Sequence, residues 1–198
     1  MSFPDVARTY CDQGKLNEAE QLEIQVLDMR KKLLGAEHPD TLLIMGNLAS
    51  TYHDQGKLNE AGQLEVQVLD MRKKLLGAEH PDTLLSMENL AGTYCEQEKF
   101  DEAEHLEVQV LKMRKKLLGV EHPDTLLSMG NLASTYCKQG KFDEAEQLDV
   151  QVLNMRKKLL GADHPKTLLS MRNLASIYHG QGKFKELEQL KFQPEKGW

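Results

Sequence analysis

One unit of 42 residues, copied about four and a half times, constrains this chain more than any other feature it carries. His-Pro recurs as His38-Pro39, His80-Pro81, His122-Pro123 and His164-Pro165, and Tyr10, Tyr52, Tyr94, Tyr136 and Tyr178 keep the same interval. Between Asp82–Pro123 and Asp124–Pro165, 33 of 42 positions are identical. The units run over about 1–39, 40–81, 82–123, 124–165 and 166–193, the first and last incomplete. We read them as a single repeat domain.

Each unit reads as two helices. The first spans roughly Thr41 to Asp54 and is opened by Pro39, whose fixed φ and missing N–H suit a first helical turn. Its core stripe is Met45, Leu48, Ala49 and Tyr52, at i, i+3, i+4 and i+7. Gln55-Gly56-Lys57 is a tight turn. A second helix follows from about Asn59 to Leu76, with Ala61, Leu64, Val68, Met71 and Leu75 as its apolar face and Gly77 closing it. Acidic residues crowd its start and Arg72-Lys73-Lys74 its end, as the helix dipole favours. No strand pattern occurs, so the expected fold is all-α. A single hairpin cannot bury its apolar face alone; neighbours must stack into a continuous core. The opening helix at Met1 is short, and the helix begun by Phe184–Phe192 is interrupted by Pro194. Apolar stacking surface at the two ends would offer a route to end-to-end homo-oligomers.

The pattern Asn-Leu-Ala-x-x-Tyr-x-x-Gln-Gly-Lys-x-x-Glu-Ala, seen as Asn131-Leu132-Ala133, Tyr136, Gln139-Gly140-Lys141 and Glu144-Ala145, resembles the tetratricopeptide repeat. The 42-residue period and the run Met155–Gly161 through His164-Pro165 are similar to the kinesin-light-chain variety. The resemblance implies a right-handed superhelical solenoid of stacked antiparallel helix pairs and a scaffold that binds proteins. Kinesin light chains usually carry two adjacent asparagines in the groove helix. Here only the second stands, as Asn47, Asn89, Asn131 and Asn173, preceded by Gly46, Glu88, Gly130 or Arg172. The heptad coiled coil that joins those chains to a motor is missing, so the expectation is a binding array and not a motor subunit.

The copies differ from one another at Gly46/Glu88/Gly130/Arg172, Arg8/Ser50/Gly92/Ser134/Ser176, Cys11/His53/Cys95/Cys137/His179 and Asp12/Asp54/Glu96/Lys138/Gly180. Counting about 100° per residue from Met45, these positions lie at about 80–180°, whereas the core stripe stays within about 60° of zero. The resemblance places this varied face in a concave groove lined by the first helices. An asparagine amide can both donate to and accept from an extended peptide backbone, fixing register without reading sequence. The candidate groove residues are therefore Asn47, Asn89, Asn131 and Asn173, with Glu88, Arg172, Ser50, Ser134, His53 and Lys138. The alternative is tolerated change on an ordinary solvated face. Four amide bonds at about 1 kcal/mol each cannot by themselves meet an association cost of about 4–15 kcal/mol, so micromolar binding is expected. Asp12, Asp54, Glu88 and Glu96 lie in the N-terminal half, Lys138 and Arg172 in the C-terminal half. A partner with acidic residues beside the latter pair is expected.

Other chemistries find less support. The Cys/His series cannot converge on one zinc ion if successive helices pack about 8–10 Å apart. The histidines before proline are expected to cap the following helix, with pH sensing as the weaker alternative. Met29, Met71, Met113 and Met155 read as core filling. The Arg-Lys-Lys runs read as solvated helix ends, with a basic ridge as the alternative. No phosphate-cradling glycine loop, nucleophile elbow or cofactor motif breaks the repeat symmetry, so no enzyme and no cofactor are expected. Twenty-five Lys and Arg against 31 Asp and Glu, a net charge of −6, argue against nucleic acid and anionic membranes as partners. No apolar run approaches the about 20 residues of a membrane span, no hydrophobic segment follows Met1, and three cysteines make no disulfide framework. A cytoplasmic protein–protein interaction scaffold is the expectation.

Overall fold

The computed structural model of the chain describes residues 3–191. These form ten α-helices: α1 (Phe3–Asp12) pairs with α2 (Leu16–Leu34), α3 (Pro39–Asp54) with α4 (Leu58–Leu76), α7 (Pro123–Lys138) with α8 (Phe142–Leu160), and α9 (Pro165–Gly180) with α10 (Phe184–Lys191), while α5 (Pro81–Glu96) packs against α4 and is followed in the chain by α6 (Phe100–Leu118). No strand occurs among the described residues. The chain forms two compact units, Met1–Ala103 and Glu104–Trp198, that divide inside α6.

Both helix starts and turns follow from the repeated residues. His38 holds an extended backbone (φ −68°, ψ 137°) and its Nδ1 accepts the Asp40 N–H at 3.1 Å, while Pro39 fills the first helical position. His80, His122 and His164 do the same for α5, α7 and α9. The expected capping role is thus the observed one. Between α3 and α4, Gly56 takes φ +74° and the Lys57 N–H reaches the Tyr52 carbonyl at 2.8 Å. The equivalent turn between α5 and α6 carries Glu98 at φ 61°, a left-handed conformation that costs a non-glycine residue about 1–2 kcal/mol.

In the N-terminal unit, Val26, Leu27, Leu42, Ile44, Met45, Leu48 and Val68 form a buried cluster, with Leu22, Tyr52, Leu64 and Met71 packed against it. In the C-terminal unit the corresponding cluster is Leu111, Leu126, Met129, Leu132 and Val152. The first-helix stripe read from the sequence is therefore the core. Two assignments need correction. Leu75 is 44% exposed, because α4 has 19 residues against 16 in α3 and its last turn runs past its partner. Met29 is 45% exposed, because α1, at 10 residues, lacks the opening turns that in α3 cover Met71. Phe192 and Pro194 lie outside the described residues.

The Gln-Gly-Lys turn also clamps one repeat to the preceding one. Gln55 Nε2 and Lys57 Nζ both donate to Glu20 Oε2, at 2.9 and 2.7 Å, and Lys57 lies over the Tyr52 ring at 5.3 Å. Gln139 and Lys141 repeat this on Glu104. At the equivalent place in α4 stands Gly62, and there Gln97 turns to the Leu58 carbonyl at 2.7 Å.

Candidate functional site

Within the N-terminal unit, α3 and α5 lie side by side over α4 and leave a cleft of about 250 Å³ between them. Asn47 and Ser50 from α3 and Asn89 from α5 line it, so two of the four asparagines share one cavity. Gly46 adds no side chain and keeps the α3 wall open. A neighbouring cleft of about 400 Å³ is lined by Arg8 and Cys11 from α1, Asn47, Ser50 and Asp54 from α3, and Glu23 from α2. Asn47 is common to both. The positions that vary between copies face open space here, while the stripe 180° away is buried.

The remaining candidates are placed as follows. Glu88 sits half-buried beside Asn89 on α5. His53 Nε2 meets Glu96 Oε1 at 2.9 Å, an ion pair joining α3 to α5 when the ring is protonated. In the C-terminal unit, Asn131, Ser134 and Lys138 are exposed on α7, and Arg172 and Asn173 are exposed on α9.

Two series on these faces escape the reading of the sequence. The first is Leu43, Leu85, Leu127 and Leu169, one turn before each asparagine. Leu43 is 51% and Leu85 48% exposed, and both line the smaller cleft. Their signal is present in the residues: an apolar side chain at about 160° from Met45, on the non-core face, in every full copy. They give the cleft apolar walls beside its amides.

The second series is acidic and lies in the floor. Glu23, Glu107 and Asp149 are buried, and Glu65 occupies the same position in α4 and lines the smaller cleft. They stand four residues after the buried alanine of α2, α4, α6 and α8, on the apolar stripe itself, which is the signal that marks them. Glu23 Oε2 accepts the Thr51 hydroxyl at 2.8 Å, and burial nonetheless holds its carboxyl above the usual range. Glu65 has a buried Oε2 without a hydrogen-bond partner. Burial pushes its carboxyl up, the nearby Thr93 hydroxyl and His53 oppose this, and Glu96 adds to it.

Seven residues further along each of these four helices stands an arginine, and its role corrects the expectation of solvated basic ends. Arg72 Nη1 donates to the Asp82 carbonyl at 2.9 Å and to Ser86 Oγ at 2.8 Å, tying α4 to α5. Arg114 binds Asp124 and Ser128, and Arg156 binds Lys166 and Ser170, in the same way. Ile44 replaces the serine at the first step, and Arg30 pairs with the Asp40 carboxylate at 3.0 Å instead. In each case one guanidinium nitrogen, Nη1, gives its two N–H groups to two acceptors of the next helix, which sets the arginine apart from the two lysines that follow it.

Stacked helix pairs with an open face of first helices, joined by Gln-Gly-Lys clamps, define a tetratricopeptide array. The tetratricopeptide repeat profile matches residues 5–74, 109–158 and 124–186, and a second tetratricopeptide profile matches 83–124. The chain belongs to the tetratricopeptide repeat family. Within that family it is similar to a kinesin-light-chain-like protein of Podosopora anserina with nearly identical TPR-like repeats. A crystal structure of that protein shares 36% identity with this chain at a TM-score of 0.86, over 94% of this chain and 88% of the other. BtubC (BKLC) from P. vanneervenii has the same fold, with a TM-score of 0.82 at 22% identity over 95% of this chain and 75% of that one. A Rap protein complexed with competence and sporulation factor superposes with a TM-score of 0.67 at 12% identity, over 93% of this chain and 49% of that chain. No curated protein sequence matches. Among the described residues no helix is long and apolar enough to cross a membrane.

Proposed function

We propose that this array is a non-catalytic, cytoplasmic scaffold that holds an extended peptide or a segment of a partner protein along the open faces of its first helices. The observation that carries the reading is the shared cleft of Asn47 and Asn89, where amides that can bond a peptide backbone stand beside the half-exposed Leu43 and Leu85. Exposed leucines next to amides suit a strand whose alternate side chains bury apolar surface while its backbone is held. Tetratricopeptide arrays are commonly interaction scaffolds, and the Rap structure is of such a fold with a bound factor. Asn131 and Asn173 serve the same role in the C-terminal unit. There the exposed Lys138 and Arg172 favour acidic residues in the partner.

The test is a peptide-display selection against the array and against its fourfold variant Asn47→Ala, Asn89→Ala, Asn131→Ala, Asn173→Ala, after circular dichroism shows the variant folded. Peptides that bind the parent at micromolar Kd and lose about tenfold or more on the variant support the reading. Equal enrichment on both places binding elsewhere. For an acidic binder, Lys138→Glu with Arg172→Glu is expected to weaken affinity, and unchanged affinity removes the charge assignment.

A second reading has its own observation. Leu33 is 81% and Phe184 61% exposed, which leaves apolar surface on α2 and α10 for association between copies. Mass that rises with concentration, and is unaffected by the asparagine substitutions, would favour that reading.

A further inference from the structure

We propose that the cleft between α3 and α5 is a pocket for a basic side chain of the partner, a lysine or arginine whose cation ends on the Glu65 carboxylate. The inference rests on the groove reading above and names the chemistry of one of its subsites. The cleft has apolar walls, Leu43, Leu85 and Val68, and a polar floor. Lysine and arginine have the same construction, an aliphatic stem with a charged tip, and they bury the stem readily when the tip finds a partner.

The floor lacks that partner. The Thr93 hydroxyl stands near Glu65 as Thr51 does near Glu23, but it is uncharged, and Glu65 Oε2 is buried without a hydrogen-bond partner, whereas Glu23 accepts the Thr51 hydroxyl at 2.8 Å. A buried carboxylate left without a counter-charge is costly, and an entering ammonium or guanidinium supplies both the charge and the donors. Arg72 lines the same cleft, but its Nη1 is committed to the Asp82 carbonyl and Ser86 Oγ. The His53 ring, also nearby, is committed through Nε2 to Glu96 Oε1 at 2.9 Å. Asp54, exposed at the end of α3, adds negative charge to the same face of the unit. An acidic ligand side chain would have to enter against Glu65.

The full-length chain is tested with a displayed library of random 16-residue peptides. Expected binders share one lysine or arginine, and replacing it by norleucine lowers affinity for the parent about tenfold or more, yet less than about twofold for the isosteric Glu65→Gln variant. Binders that share no basic residue, or a loss that is equal on both proteins, overturn the inference and leave the groove reading standing. Absence of any binder overturns the groove reading, and a probe that needs no peptide then decides the pocket. The ¹³C carboxyl resonance of Glu65 is titrated with N-acetyl-lysine N-methylamide or with its norleucine analogue. A midpoint lowered by the lysine probe alone supports the pocket, and equal midpoints with both overturn it.

Discussion

At the step from α2 to α3, a buried glutamate, Glu23, meets the Thr51 hydroxyl at 2.8 Å. At the step from α8 to α9 both partners differ: the acid is Asp149 and the position of Thr51 holds Ile177. The shorter carboxylate has no hydroxyl offered from that position, and burial raises it from 3.8 to about 6, with Arg156 of its own helix opposing the shift. Neighbouring Cys137 feels the same charge, and its thiol is raised by burial and by Asp149. The family fold tolerates either arrangement because packing of the alanine, valine and leucine stripe around the acid holds the step together. What changes is the cost of the charge. A second contrast runs along the turns, where Glu20 receives Gln55 and Lys57 but Gly62 leaves Gln97 to a backbone carbonyl.

The largest expected effect comes from Asp149→Asn. A carboxyl whose pKa is raised in the folded state keeps its proton to higher pH than the unfolded chain does. Stability therefore falls as pH rises from about 4 to about 6 and stays lowered above. The neutral isostere is expected to be more stable than the parent by about 2–3 kcal/mol at pH 7.5 and equal to it near pH 4. Urea unfolding at the two pH values reads this directly, and a parent whose stability does not fall across that window would break the contrast.

Thr51→Val is expected to act in the opposite direction. It leaves Glu23 buried without its donor at nearly constant volume, costing about 1–2 kcal/mol at pH 7.5. The same substitution logic predicts nothing at residue 177, where the hydroxyl is already gone. Equal denaturant midpoints for Thr51→Val and the parent would show that the hydroxyl contributes nothing to the step.

The smallest expected effect is a gain from Gly62→Glu. A glutamate at this helical position both improves helix propensity and restores the acceptor for Gln97 and Lys99, for a stabilisation of about 1–1.5 kcal/mol. An added Cβ meets Gln97 Nε2 at 3.4 Å, a flexible side chain that can turn toward the new carboxylate. Gly62→Ala separates the two contributions, since it supplies the propensity alone. If the two variants melt together, the clamp itself adds nothing measurable.

Much of this is legible in the residues. The 42-residue recurrence, the stripe of Met45, Leu48, Ala49 and Tyr52, and Pro39 with His38 before it fix the helices, their ends and the all-α class, because helical period and capping are local properties. The face that varies between copies is likewise visible, since angle around a helix follows from position alone. Tertiary structure decided which polar residues are buried. Glu23 and Glu65 stand on the apolar stripe by position, but what each carboxyl meets there is set by the next helix pair, and Arg72 looks like Lys73 until Ser86 is brought within 2.8 Å. Leu43 and Leu85 lie on the non-core face by their angle, but only the packing of α3 beside α5 makes them walls of a cleft. Burial of a charge depends on what a neighbouring repeat supplies at that point, and that is set by packing across 28 or more residues of sequence, as between Glu23 and Thr51.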